Sequence, residues 1–140
     1  MRVMLHMDRR RVLTISLTLA ACMAIAGCAT DLSRRLSKFD PLPSGQRARV
    51  IRVDQDARIT WESIAFERTV KAGSQWRELG RVSEGTVFRP LDGPFTIEGA
   101  HVHEAYLVLS GQTLVGFYLP VEGSFVDAKP PVVLKFTEGK

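Results

Sequence analysis

The sequence has only two cysteines, Cys22 and Cys28, and both lie in the first 28 of its 140 residues. Residues 29–140 contain no thiol, which excludes a disulfide, a catalytic cysteine and a thiolate metal site from this part of the chain. Histidine is also rare, and none follows His103. Because no nucleophile elbow, phosphate-binding glycine-rich loop or Ser-x-x-Lys motif is present, we expect neither enzymatic activity nor a cofactor.

A strong excess of charge of one sign is missing outside the N-terminal segment. The chain has a formal net charge of +4, but residues 1–27 supply +3 of it through four Arg and one Asp. Removing those from the totals of 19 basic and 15 acidic residues leaves 15 basic and 14 acidic side chains. The near-neutral remainder does not favour nucleic acid as a partner.

The first 27 residues have the layout of a secretory signal peptide. A basic stretch that ends at Arg11 precedes an uncharged, mostly apolar run from Val12 to Gly27. This run is shorter than the roughly 18 to 20 residues that span a bilayer as a helix. We therefore predict a signal peptide at residues 1–27, and the alternative is a short membrane anchor that stays uncleaved.

The apolar run closes with Ile25-Ala26-Gly27-Cys28, which resembles the lipobox of bacterial lipoproteins. The resemblance implies that the Cys28 thiol receives a lipid and that signal peptidase II cleaves before it. A second match, Leu19-Ala20-Ala21-Cys22, makes Cys22 the alternative lipidation site. Cys28 is favoured because the chain turns polar soon after it, as in mature lipoproteins.

Residues 28–45 are predicted to be a lipid-anchored tether. In lipoproteins an Asp directly after the cysteine tends to retain the protein at the inner membrane, so Ala29 implies the periplasmic face of the outer membrane. Leu32, Leu36 and Phe39 have the spacing of one face of a short helix that would lie on anionic headgroups. A flexible spacer is favoured over this helix, because helices this short are marginal in water.

From Arg47 onward the hydrophobic pattern has a period of two, which is typical of β-strands. Short apolar runs alternate with turn residues, and no helical pattern of ten or more residues is found. These features predict an all-β domain at residues 46–140, a small sandwich or barrel of about seven to eight short antiparallel strands.

The clearest unit is a hairpin from Ala105 to Leu119, whose two arms flank Ser110-Gly111-Gln112. Both arms are apolar on both faces, so each face must be covered. The second face is expected to meet the remaining strands, the tether helix or a partner protein. The first face is expected to meet the aromatic segments that contain Trp61, Phe66 and Phe95.

His101 and His103 are the candidate metal ligands. Two residues apart in a strand, their side chains point to the same face and can share a metal ion. The stretch from His101 to Gly111 is superficially similar to the first metal-binding motif of the cupin family, but the later Glu and third His of that family are absent. A cupin is therefore rejected, and we expect two partly exposed histidines at a strand end and no bound metal.

Together these features predict a membrane-anchored bacterial lipoprotein that acts as a binding or scaffolding module in the cell envelope. The partners are expected to be the membrane, through the lipid, and an envelope protein, through exposed strand edges or loops. A stripe of Arg47, Arg49 and Arg58 on the first hairpin would suit anionic lipid or an acidic partner, or form a solvated face. The alternative is a small envelope enzyme or metal-binding protein that uses His101 and His103.

Overall fold

The structure, a computed structural model, describes residues 31–61 and 66–139. Thirteen strands and no helix are found in this part of the chain, which confirms the all-β prediction. In chain order the strands are β1 (Arg34–Leu36), β2 (Asp40–Pro41), β3 (Val50–Val53), β4 (Ala57–Trp61), β5 (Phe66–Val70), β6 (Gln75–Val82), β7 (Gly85–Pro90), β8 (Thr96–Glu98), β9 (Val102–Glu104), β10 (Tyr106–Ser110), β11 (Thr113–Leu119), β12 (Ser124–Val133) and β13 (Phe136–Glu138).

Nine of these strands form one antiparallel sheet in the order β1-β12-β11-β10-β7-β6-β3-β13, with β2 also paired to β6. The chain passes from β12 to β13 through Leu134 and Lys135. The Leu134 N–H donates to the carbonyl of Gln112 at 2.8 Å, and the Lys135 carbonyl accepts from the Asp54 N–H at 2.8 Å. Because this short link joins β12 and β13, which lie near opposite ends of the strand order, the sheet has to curl until these two strands are close.

Two further hairpins, β4–β5 and β8–β9, pack on one face of the sheet and enclose the larger hydrophobic core. In β4 buried and exposed residues alternate, as a half-buried strand requires. The rings of Trp61 and Phe95 pack on Phe117 of β11, with centroids 5.5 and 5.8 Å away. Phe66 stacks on Trp61 at 5.6 Å. These contacts confirm the prediction for the first face of the β10–β11 hairpin.

The β10–β11 turn is tighter than the three-residue loop that the sequence suggested. Ser110 pairs with Thr113, so the turn contains only Gly111 and Gln112. Gly111 has a φ of 62°, a left-handed conformation that glycine adopts without a steric penalty.

The N-terminal segment of residues 31–42, here called the strap, covers the second face of the β10–β11 hairpin. Phe39 of the strap stacks on Tyr118 with ring centroids 5.4 Å apart. Beneath it lies a smaller hydrophobic cluster, separate from the larger core, whose buried members are Val82, Val87, Val108, Tyr118 and Phe125. The sequence left open whether further strands, the tether or a partner protein covers this second face. In the structure the strap covers it.

Residues 31–42 form neither the flexible spacer favoured for the tether nor the alternative short helix. Part of the segment forms β1 and β2, which pair with β12 and β6 and raise the strand number above the seven or eight expected. Leu32 is buried in the larger core, Leu36 is 87% exposed, and Phe39 packs on the opposite face of the sheet. The physical reason is that the edge of β12 offers backbone hydrogen bonds, whereas a two-turn helix is marginal by itself.

Arg35 fastens the strap to the sheet. Its guanidinium lies 4.5 Å from the centroid of the Phe125 ring and forms ion pairs with Asp127 at 2.6 Å and Glu84 at 3.1 Å. The Ser37 hydroxyl donates to Glu84 at 3.0 Å. Burial raises the pKa of Glu84, but hydrogen bonds and the charge of Arg35 outweigh it, so that the pKa lies below its ordinary value. The carboxylate therefore stays charged and paired at neutral pH.

We expect Phe39→Ala to lower the free energy of unfolding by about 1 to 3 kcal/mol, because it removes a half-buried ring that covers Tyr118. Leu36→Ala is the matched control, since the same strap carries this side chain exposed and its loss should cost under about 0.5 kcal/mol. Urea unfolding followed by tryptophan fluorescence measures both variants. Equal, small losses would show that the strap does not stabilise the second face.

Candidate functional site

The β8–β9 hairpin carries both predicted histidines but gives them different surroundings. His103 is buried, with 4% of its surface exposed, and faces the core opposite Ile97. His101 precedes the strand, in a bend, and is exposed. The expectation of two partly exposed histidines is therefore wrong for His103, which occupies the inward position of β9. The two side chains do not share a face, because the regular alternation of the strand does not extend back to residue 101.

His103 is paired with Glu122, which lies in the turn between β11 and β12. The His103 Nδ1 and the Glu122 Oε1 are 2.5 Å apart, and the side chain of Glu122 is 26% exposed. Sequence reasoning missed Glu122, since no local pattern connects residues 19 positions apart. Among the described residues no group of three His, Cys, Asp or Glu side chains is arranged to hold a metal ion.

Ser124 lies close to this pair in the chain, which raises the question of a Ser-His-Glu triad. Such a triad needs a hydrogen bond from the serine hydroxyl to the second ring nitrogen of the histidine. The Ser124 Oγ and the His103 Nε2 are both buried, and neither forms a hydrogen bond with any described residue. The arrangement therefore lacks the contact that would activate a nucleophile, and the contact it does make joins the β8–β9 hairpin to the turn between β11 and β12.

The start of the strap is held against the turn of the same hairpin. The Asp31 Oδ1 accepts hydrogen bonds from the N–H groups of Leu32 at 2.9 Å and Ala100 at 3.3 Å. The bond from Leu32 is the main cause that lowers the pKa of Asp31. A Cβ on Gly99 would lie 2.7 Å from the same oxygen, so a larger residue there would require Asp31 to shift. We call these four residues the strap–hairpin junction.

The predicted arginine stripe is not formed. β3 and β4 do not pair with each other, because β3 pairs with β6 and β13 while β4 pairs with β5. The Arg49 Nε lies 2.8 Å from the Glu78 Oε2. On the β4–β5 hairpin, the Arg58 Nε lies 3.2 Å from the Glu67 Oε1. These arginines therefore belong to two different local ion pairs.

A groove of about 600 Å³ runs beside the C-terminal end of the strap. It shares Leu42, Gln46 and Glu78 with a neighbouring depression of about 520 Å³, so the two are continuous. Its basic side chains outnumber its acidic ones. We call this surface the strap groove, and its charged lining residues are Lys38, Asp40, Arg47, Arg77, Glu78 and Arg81.

The two candidate lipidation sites, Cys28 and Cys22, lie outside the described residues, so their assignment stays a prediction. In the described part of the chain no helix has the length and hydrophobicity to cross a membrane. Comparison with models of known protein families, with curated proteins and with solved structures finds no match to this chain.

We expect His103→Ala to lower the free energy of unfolding by about 2 to 4 kcal/mol, because it empties a buried site and leaves the Glu122 carboxylate without its partner. His101→Ala is the matched control and should change stability by under about 0.5 kcal/mol, since this side chain is exposed. Thermal unfolding of the two variants makes the comparison. A small effect in both would mean that the pair does not hold the hairpin.

Proposed function

We propose that this protein is a bacterial lipoprotein, anchored through Cys28, whose β domain serves as a binding module on the periplasmic face of the outer membrane. The observation that carries the proposal is the order of three features: a basic stretch, an uncharged apolar run, and Ile25-Ala26-Gly27-Cys28. A signal peptide needs the first two, and lipid attachment needs the third. Two acyl chains or more give stable anchoring, because each buried CH₂ contributes about 0.8 kcal/mol.

The strap groove supports a binding role for the domain. Arg77 and Arg81 are exposed along β6, whereas the exposed Lys38 is paired with Asp40 at 3.1 Å. Glu78 at the base is buried and paired with Arg49, so the accessible charge of the groove is mainly positive. A groove with this charge suits an acidic segment of an envelope protein.

The contacts of the histidines favour this role over the enzyme or metal-binding alternative. The His103 Nδ1 contacts Glu122, and the ring is buried. His101 is then the one exposed imidazole of the hairpin, and a single imidazole is a weak metal site.

We expect Cys28→Ser to accumulate an uncleaved precursor that incorporates no labelled palmitate, because the lipid acceptor and the cleavage signal are lost together. Cys22→Ser is the matched control and should be processed and labelled normally. Metabolic labelling with palmitate, followed by gel electrophoresis, distinguishes the two. The reverse pattern would move the lipid to Cys22, and labelling of neither protein would overturn the lipoprotein proposal.

We expect a photo-crosslinking residue at Arg81 to capture a specific envelope protein in intact cells, because Arg81 lines the strap groove. The same residue at Gln55, an exposed turn position outside the groove, is the control. Added charge reversal at Arg77 should reduce the captured amount. Equal capture from Arg81 and Gln55, or no effect of the reversal, would contradict binding in the groove.

A further inference from the structure

The chain between the proposed anchor and the folded domain is short. Leu32 is buried in the larger core and lies four positions after Cys28 in the sequence. Four residues span at most about 14 Å even when fully extended. A lipidated Cys28 therefore keeps this side of the domain within that distance of the lipid, in place of the long tether expected at residues 28–45.

The strap–hairpin junction decides which surface lies beside the anchor. The N–H of Ala100 donates to Asp31, and a Cβ on Gly99 would lie 2.7 Å from the Asp31 Oδ1 and 3.0 Å from the Leu32 Cγ. The turn of the β8–β9 hairpin is thus in direct contact with the first residues of the strap. Any membrane that holds Cys28 lies close to this turn.

The chemistry of the turn suits the polar layer of a membrane. Val102 is 65% exposed, and Ala100 and His101 beside it are also exposed. Glu98 pairs with Val102 across the hairpin, and both Glu98 and Glu104 are exposed. Since carboxylates are costly to place in hydrocarbon, the turn suits lipid headgroups rather than acyl chains.

We propose, on the basis of the lipidation at Cys28 proposed above, that the tip of the β8–β9 hairpin, residues 99–102, lies in the headgroup layer of the leaflet that holds the lipid. The short link to Leu32 imposes this position, and Val102 and His101 are the side chains that contact lipid. The rare histidine that the sequence singled out at position 101 is thereby part of a membrane-facing surface.

A depth measurement on the full-length, lipidated protein tests this position. After processing, the mature chain has no free thiol, so Val102→Cys provides a single site for a fluorophore. Gln55→Cys is the control, because Gln55 lies far from the strap. The Trp61 indole at the end of β4 contacts Asp127, which pairs with Arg35 of β1. Gln55 precedes the other end of β4, about 20 Å from Trp61 along the extended chain. The labelled proteins are reconstituted in vesicles of phosphatidylethanolamine and phosphatidylglycerol that contain a quencher on the headgroup or deep in the acyl chain.

We expect the headgroup quencher to reduce the fluorescence at position 102 several-fold more than at position 55, and the deep quencher to act less on position 102 than the headgroup quencher does. Equal quenching at the two positions overturns the placement of the tip, and stronger deep quenching overturns its shallow depth. Palmitate labelling of the same samples separates the two proposals. If palmitate is present, either of these results refutes only the placement of the tip. If palmitate is absent, both the lipidation at Cys28 and the placement of the tip are refuted.

A longer link between Cys28 and Leu32 tests whether the short link holds the tip at the membrane. Twelve Gly and Ser residues inserted between Ala29 and Thr30 add a root-mean-square reach of about 19 Å. Quenching at position 102 should then fall to the level at position 55. Quenching that survives the insertion would overturn the conclusion that the short link holds the tip at the membrane.

Discussion

A hairpin that is apolar on both faces must be covered on both sides, and the rest of this structure depends on how β10 and β11 meet that constraint. Phe117 faces the larger core, whereas Tyr118, the next residue, faces the smaller cluster. Two hairpins cover the first face, and the strap covers the second through Phe39. A segment that looks like a linker in the sequence is therefore part of the fold.

This use of the strap couples the fold to the proposed anchoring. If the strap covers the sheet, it is not free to act as a spacer, and the lipid has to lie close to the domain. Arg35 holds the strap by ionic contacts and by its position over the Phe125 ring. Because Arg35 and Glu84 are partly exposed, the ion pair by itself contributes modestly, and the burial of Leu32 and Phe39 supplies the larger part of the attachment.

The period-two pattern predicted the strands well where one face is buried, as in β4, and it also predicted that the β10–β11 hairpin needs two covers. It did not predict the strap, because Leu32, Leu36 and Phe39 fit a short helix and the competing hydrogen bonds come from β12, about 90 positions away. The His103–Glu122 pair escaped prediction for the same reason. Local patterns indicate how a segment folds, whereas these contacts depend on which distant segments the fold brings together.

The strap also pairs with the edge of the sheet. β12 would expose its backbone hydrogen-bonding groups beside the buried Val126 if β1 were absent, and such an edge invites pairing between molecules. β1 covers it with a three-residue strand that is exposed throughout and carries Arg34 and Arg35. Short, charged edge strands resist pairing with another copy. Under the proposed lipid anchoring, neighbouring copies would share one membrane plane, and this protection would be needed most on the side on which the strap enters the fold.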